Sequence, residues 1–362
     1  MEEEDHASSL LTENKRWLHR LNLVTTLSEW VEAHLNPHHV VWEGQDRDKK
    51  RARAGRSMKA AQYVYAHLMI GRMLFPRTPP DGDPLFCAED YPNESMQLQL
   101  RKGAYPEFQA QVRLARSRVM DPHAVTTIPT VTWPMVLRKI RSHHIIPSLQ
   151  QFADTFPFSR HALIGLVLRY LCVGGLDDNL HASITHSGAE AMGEHCVECF
   201  ASPFNHKFPT YFSIFEEDRA LGSQGNFFEA ISQHGGTLPA TFQRYEMNPP
   251  WINAVYERLV EIVDASLASR RTDLEIIVLA PQWVVTRWIP GFSMLLSHPH
   301  NAAYATHSLT PYTTKQPSTM QYVHDLTDTR LFLRTVSWVF TCSEVPAALR
   351  DWLAFDPAPP SS

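Results

Sequence analysis

Thr241-Phe242-Gln243-Arg244-Tyr245-Glu246-Met247-Asn248-Pro249-Pro250-Trp251 is the stretch on which the fold turns. Its first seven residues have strand composition. Beyond Trp251, Val255, Leu259, Ile262, Val263 and Leu267 recur at helical spacing through Ala254 to Arg270. A strand that runs into two prolines and then opens a helix carries a rigid, kinked loop at its carboxyl end. Open α/β sheets bind their ligands in the crevice outside those ends.

Asn-Pro-Pro-aromatic suits the holding of a planar amine. The Asn248 side-chain oxygen and the Pro249 carbonyl can each accept one hydrogen from an exocyclic NH2. Two such bonds would turn the nitrogen lone pair out of ring conjugation and towards an electrophile. Trp251 can lie flat on a base, a contact worth roughly 1–3 kcal/mol. Proline adds no competing N–H and stiffens the loop. The plain alternative is a Pro-Pro turn with a buried tryptophan, since short motifs match by chance. The flanking strand and helix favour the binding role.

On the carboxyl side, Leu274 to Ala280 reads as a buried strand ending at Pro281-Gln282-Trp283. Tyr304 to Thr310 and Leu331 to Phe340 are further strand candidates. On the amino side, Cys196 to Phe200 is a short strand left by the loop Ala201-Ser202-Pro203-Phe204-Asn205. Thr210 to Phe215 is a second, followed by Glu216-Glu217-Asp218 and the turn Gly222-Ser223-Gln224-Gly225-Asn226. Strands alternating with helices imply an α/β sheet. In nucleoside-binding sheets a carboxylate after the second strand accepts ribose hydroxyls, a role open to Glu217 or Asp218; a solvated acidic turn is the other reading.

Upstream of about residue 180 the pattern is mostly helical. Leu10 to Leu35 is an amphipathic helix or a broken pair, stopped by Asn36-Pro37. Ser57 to Phe75, Glu107 to Met120, Met135 to Phe156 with a break at Pro147, and Phe158 to Val173 follow. Between them lie a proline-rich connector, Pro76 to Pro92, and a basic stripe, Arg113, Arg116 and Arg118. Lys49, Lys50, Arg51, Arg53 and Arg56 form the densest positive cluster, read as a nuclear-import signal or a phosphate-gripping surface in an otherwise acidic chain. The expected division is a helical domain over 1–180, an α/β domain over 181–345 and a tail over 346–362 whose last residues, from Asp356, are loose.

The 362 residues are 44% hydrophobic and 20% charged, which suits a globular protein with a substantial core. A net charge of −5 excludes a wholly basic nucleic-acid coat but not a local basic groove. No apolar run has the length of a membrane span, and Met1-Glu2-Glu3-Glu4-Asp5 does not resemble a secretory signal. Five cysteines without a framework pattern suggest a reducing compartment. Cys196 and Cys199 form C-x-x-C, but no second ligand pair completes a zinc site, so they are expected to pack as small apolar residues. His38-His39 and His143-His144 do not converge on a metal. No G-x-G-x-x-G, Walker loop, G-x-S-x-G or H-E-x-x-H occurs, against dehydrogenase, NTPase, hydrolase and metalloprotease readings.

Several stretches together resemble one family. Glu198-Cys199-Phe200-Ala201-Ser202-Pro203, Asn205, Gly222-Ser223, Gly225, Asn248-Pro249-Pro250-Trp251 and Pro281-Gln282-Trp283 stand in the order found in the phosphorylated-CTD-interacting factor family, and Leu168-Arg169-Tyr170 fits an upstream helix. The likeness spans about residues 160 to 340. It implies a Rossmann-type class I methyltransferase domain behind a helical domain, with S-adenosylmethionine as cofactor. It also implies methylation at N6 of the first transcribed adenosine of capped RNA, in the nucleus. Under it, Asn248, Pro249, Pro250 and Trp251 hold the adenine, and Phe200, Ala201, Ser202, Pro203, Asn205 and Glu217 or Asp218 hold the methyl donor. The family usually has Phe at Trp251 and often Glu at Gln282, and no N-terminal WW domain is seen here. The expected partner is the single-stranded 5′ end of capped RNA, with no metal and no membrane. The alternatives are an N6-adenine methyltransferase of DNA or internal RNA, and a silent cap- or RNA-binding module.

Overall fold

The computed structural model describes residues 2–35, 64, 68, 71–74, 83–86, 100–140, 143–174, 176, 182–250, 252–269, 271–281, 318–324, 329–341 and 345–353. The basic cluster at 49–56, Trp251, Gln282-Trp283, the strand expected over 304–310 and the loose end from Asp356 lie outside them. The chain divides into two compact units, Met1–Asp177 and Asp178–Ser362.

The first unit is helical. Helix α1 spans Glu2–His34 without a break, burying Trp17, Leu21, Val24, Leu27 and Val31 along one stripe. After Gly103, whose φ of 85° suits a residue without Cβ, α2 runs over Ala104–Val119 and buries Phe108, Val112 and Ala115. Two short helices follow, α3 (Pro122–Thr126) and α4 (Trp133–Leu137), then a 3-10 turn at His143–Ile145 and α5 (Ile146–Thr155). Pro147 lies in the first turn of α5, so it starts a helix instead of interrupting one. Proline's missing N–H costs nothing there.

Ser159 caps α6 (Arg160–Cys172) by accepting the Ala162 N–H. Helix α6 is buried from Leu163 to Tyr170 and packs against α1. The two approach closely at Gly165, where a Cβ would stand 2.8 Å from Asn14 Oδ1. Asn14 Nδ2 donates to the His161 carbonyl at 3.0 Å.

The second unit is a mixed α/β structure. In chain order it holds β1 (Ala182–Ile184), α7 (His186–Met192), β2 (Cys196–Ala201), β3 (Thr210–Ser213) and α8 (Phe227–Gln233). Then come β4 (Arg244–Met247), α9 (Asn253–Ala268), β5 (Glu275–Pro281), β6 (Ser318–His324), β7 (Thr329–Thr341) and α10 (Ala347–Leu353). The seven strands form one sheet in the order β1-β6-β7-β5-β4-β2-β3. Strands β3, β2, β4 and β5 are parallel neighbours. Strand β7 runs antiparallel to β5 and β6, and β1 antiparallel to β6.

On one sheet face Ile184, Met192, Cys196, Ile277, Leu279 and Val339 pack with Leu349 and Leu353 of α10. Helix α10 thus lies inside the stretch read as a tail, with both leucines fully buried. The chain leaves β2 for β3 on one side and then crosses to β4 on the other. The order reverses at β2, and in such sheets that is where the crevice opens.

Candidate functional site at the carboxyl ends of three parallel strands

Glu198 of β2 is in register with Glu246 of β4. Two residues further on, Phe200, still in β2, and Asn248, just past the end of β4, stand at the same end of the sheet. Strand β3 ends beside them at Ser213, the partner of Ala201, and Glu217 and Asp218 follow in a 3-10 helix, Glu216–Leu221. Fold topology therefore gathers the segments 200–205, 216–218 and 248–250, which are far apart in sequence.

The register between β2 and β3 shifts between Glu198 and Ala201. A bulge of this kind re-aims the residues that follow it. Phe200 is half-buried, its ring 5.2 Å from Phe227 and 5.8 Å from Phe228 of α8, and Phe227 also meets Phe212 of β3 at 5.5 Å. Phe200 therefore anchors α8 to the sheet.

The loop beyond is tied to itself. Asn205 Oδ1 accepts the Ser202 N–H and the Ser202 hydroxyl, each at 2.8 Å. Ser202 Oγ accepts the Phe204 N–H at 3.2 Å, and the Ser202 carbonyl accepts the N–H groups of Asn205 and His206 at 3.1 Å. Ser202 and Asn205 are both buried. Their side chains fix the shape of the loop, a role their residue types favour. The groups left on the loop's outer side are its backbone and Pro203, which is half-buried.

After β3, Asp218 is fully enclosed, at 0% exposure, while Glu217 is half-buried. Of the two carboxylates weighed for a ribose, Glu217 is the one at the surface. A small network holds the following turn: Ser223 Oγ donates to Ser213 Oγ at 2.9 Å and accepts the Gly225 N–H at 3.0 Å. Asn226 then caps α8, its Oδ1 accepting from Phe228 and Glu229.

Strand β4 stops at Met247, before the prolines that cannot donate to a ladder. Asn248 and Pro250 are half-buried and Pro249 is buried. The Pro250 carbonyl accepts the Ile252 N–H at 2.7 Å, and the Ile252 carbonyl accepts from Val255 at 3.0 Å. The loop thus passes straight into α9, whose Val255, Leu259, Ile262, Val263 and Leu267 are all buried.

Two site-proximal residues had no role in the sequence reading: Glu198 and Glu246. Both sit in parallel strands that are buried on both faces, and they are 3% and 1% exposed. Burial, with Glu198 beside it, pushes the Glu246 carboxyl well above the usual carboxylate range. The available signal was a charged residue between apolar ones in a short strand. Cys196 and Cys199 are buried free thiols, and burial pushes both above their ordinary value. Cys196 belongs to the apolar core of the sheet.

Residues 147–308 match a family described as the phosphorylated CTD interacting factor 1 WW domain. Over these residues the chain resembles the phosphorylated-CTD-interacting-factor family. The match covers somewhat under half of the chain and takes in α5, α6, α7, α8, α9 and β1 to β5, so all three site segments fall within it. The expectation that the chain lacks a WW domain is corrected in name, since the matching family carries those words. The described residues of the match fold as helices and a mostly parallel set of strands. No curated protein matches the chain. Among the described residues no helix is long and apolar enough to cross a membrane.

Proposed function

We propose that this protein is a Rossmann-type, S-adenosylmethionine-dependent methyltransferase acting on N6 of the first transcribed adenosine of capped RNA, in the nucleus. The observation that carries the reading is the Asn248-Pro249-Pro250 loop at the carboxyl end of β4, beside the point where the strand order reverses. The family likeness over residues 147–308 supports it, and a family named for interaction with a phosphorylated CTD suits a nuclear role.

The residues present fit the donor in outline. Glu217 is exposed enough to accept ribose hydroxyls after β3, and the stiff 201–205 loop offers backbone groups after β2. S-adenosylmethionine would supply a methyl group already activated by its sulfonium. The chain's part is then alignment. Asn248 Oδ1 and the Pro249 carbonyl each accept one N6 hydrogen, and Trp251 stacks on the adenine. Such positioning lowers a barrier without a general base, and the surplus proton leaves to water. An adenine must be unstacked to enter, which favours a single-stranded end.

The test is mass spectrometry of short oligonucleotides after incubation with protein and donor. Capped RNA, uncapped RNA and DNA are run side by side. Methylation at N6 of the cap-adjacent adenosine is expected. Methylation of the uncapped substrates alone would redirect the reading to DNA or internal RNA, and no product with any of them would refute it.

A further inference from the structure

The basic residues of the helical unit have no part in methyl transfer as described. Residues 101–170 carry ten Lys or Arg against three Asp or Glu, in a chain whose net charge is −5. Among the described residues Arg118, Arg138, Lys139 and Arg160 are all exposed, and none of the four is paired with a carboxylate. The acids between Phe108 and Tyr170 are Asp121 and Asp154. Asp121 is turned to α3, where it accepts the His123 N–H at 2.9 Å.

Contacts string these cations into one row. Lys139 Nζ, just past α4, donates to Asn22 Oδ1 of α1 at 2.8 Å. One turn back along α1, His19 Nε2 lies 3.1 Å from the Arg118 carbonyl in the last turn of α2. At the other end of α4, the Arg160 guanidinium lies 5.3 Å from the centre of the half-buried Trp133 ring. Arg160 follows an aromatic run in which Phe156 has its ring centre 5.5 Å from those of both Phe152 and Phe158. Phe158 is 46% exposed, so it leaves much of its ring in water.

Cations unmatched by carboxylates attract a polyanion. The exposed ring beside them selects which one: an unstacked base gains about 1–3 kcal/mol on an aromatic face, whereas a duplex keeps its bases stacked on one another. We propose that this row binds the body of a single-stranded RNA, with phosphates on Arg118, Arg138 and Lys139 and a base on Phe158 next to Arg160. That the bound strand is also the methylation substrate rests on the methyltransferase reading; the binding surface does not.

The test is fluorescence anisotropy of the full chain with a labelled, uncapped oligouridylate, which has no adenosine to methylate, over a range of salt concentrations. Binding is expected, with an affinity that falls as salt rises. Each phosphate contact on a single strand contributes about 0.7 to the slope of log affinity against log salt. The double variant Arg138→Gln, Lys139→Gln should therefore flatten that slope by about 1.4. Arg258→Gln, at an exposed arginine of the α/β unit, should leave it unchanged. Phe158→Ala should weaken binding by roughly fivefold or more, and Phe158→Tyr, which keeps the ring, should bind as wild type does.

An unchanged slope in the double variant, or equal affinities in Phe158→Ala and Phe158→Tyr, would overturn the proposal. So would tighter binding of a phosphoserine peptide that responds to the same variants, since the row would then serve a phosphorylated protein. Oligouridylate binding without methylation of any oligonucleotide would leave the surface standing and defeat the enzyme reading alone. Methyl transfer alongside variants that bind oligouridylate as wild type does would do the reverse.

Discussion

Asn205 uses its side-chain oxygen inside its own loop, whereas Asn248 is a half-buried residue just past the end of β4. The two asparagines should therefore fail differently. Asn205→Ala removes the oxygen that accepts both the buried Ser202 N–H and its hydroxyl, a loss of about 1–3 kcal/mol. Denaturant unfolding should show that loss, and calorimetry should show weaker S-adenosylmethionine binding because the loop relaxes; unchanged stability would remove Asn205 from the loop's framework. Asn248→Ala should leave donor binding intact while radiolabelled methyl transfer disappears. Near-normal turnover in that variant would take Asn248 out of the reaction. The sequence alone offered both asparagines as site residues, because residue type carries chemistry but says nothing of which neighbour claims the oxygen. It offered Glu217 and Asp218 as equals for the same reason, and only packing encloses Asp218.

Helices α7 and α10 meet where Gly188 faces Trp352: a Cβ on Gly188 would stand 2.5 Å from the indole. Gly188→Ala should thus destabilise by roughly 1–3 kcal/mol through overpacking, and adding Trp352→Leu should return part of it. Chemical denaturation of both variants checks this, and full stability in the single variant would mean that the indole moves freely aside. Neither helix was legible beforehand. Each has only seven residues, about two turns, too few for a helical period to declare itself. The same brevity hid β1, with three residues, and α8, with seven. Strand β6, Ser-Thr-Met-Gln-Tyr-Val-His, mixes polar and apolar residues without clean alternation. By contrast β5, Glu-Ile-Ile-Val-Leu-Ala-Pro, announces itself because burial on both faces requires an apolar run. The stretch before the prolines was read as a strand from Thr241, but β4 begins at Arg244. Its start is set by pairing to Cys196 and Glu275, long-range partners that local composition does not encode.

The helical unit Met1–Asp177 and the α/β unit Asp178–Ser362 each have their own buried core, the first around Trp17, Phe108 and Leu166, the second around Ile277, Leu279 and Val339. Every segment assigned here to donor binding lies in the second. A ligand that binds only the folded form stabilises by RT ln(1 + [L]/Kd), about 2.7 kcal/mol at a hundredfold excess over Kd, and it acts on whichever unit folds to make the site. Scanning calorimetry of the full chain with rising S-adenosylmethionine should therefore raise the transition of the α/β unit. If the units unfold separately, the helical transition should stay where it is. Gly188→Ala, which strikes only the α/β core, identifies which transition is which. A donor that shifted the helical transition alone would place its site among α1 to α6 and remove Glu217 and the 201–205 loop from that role.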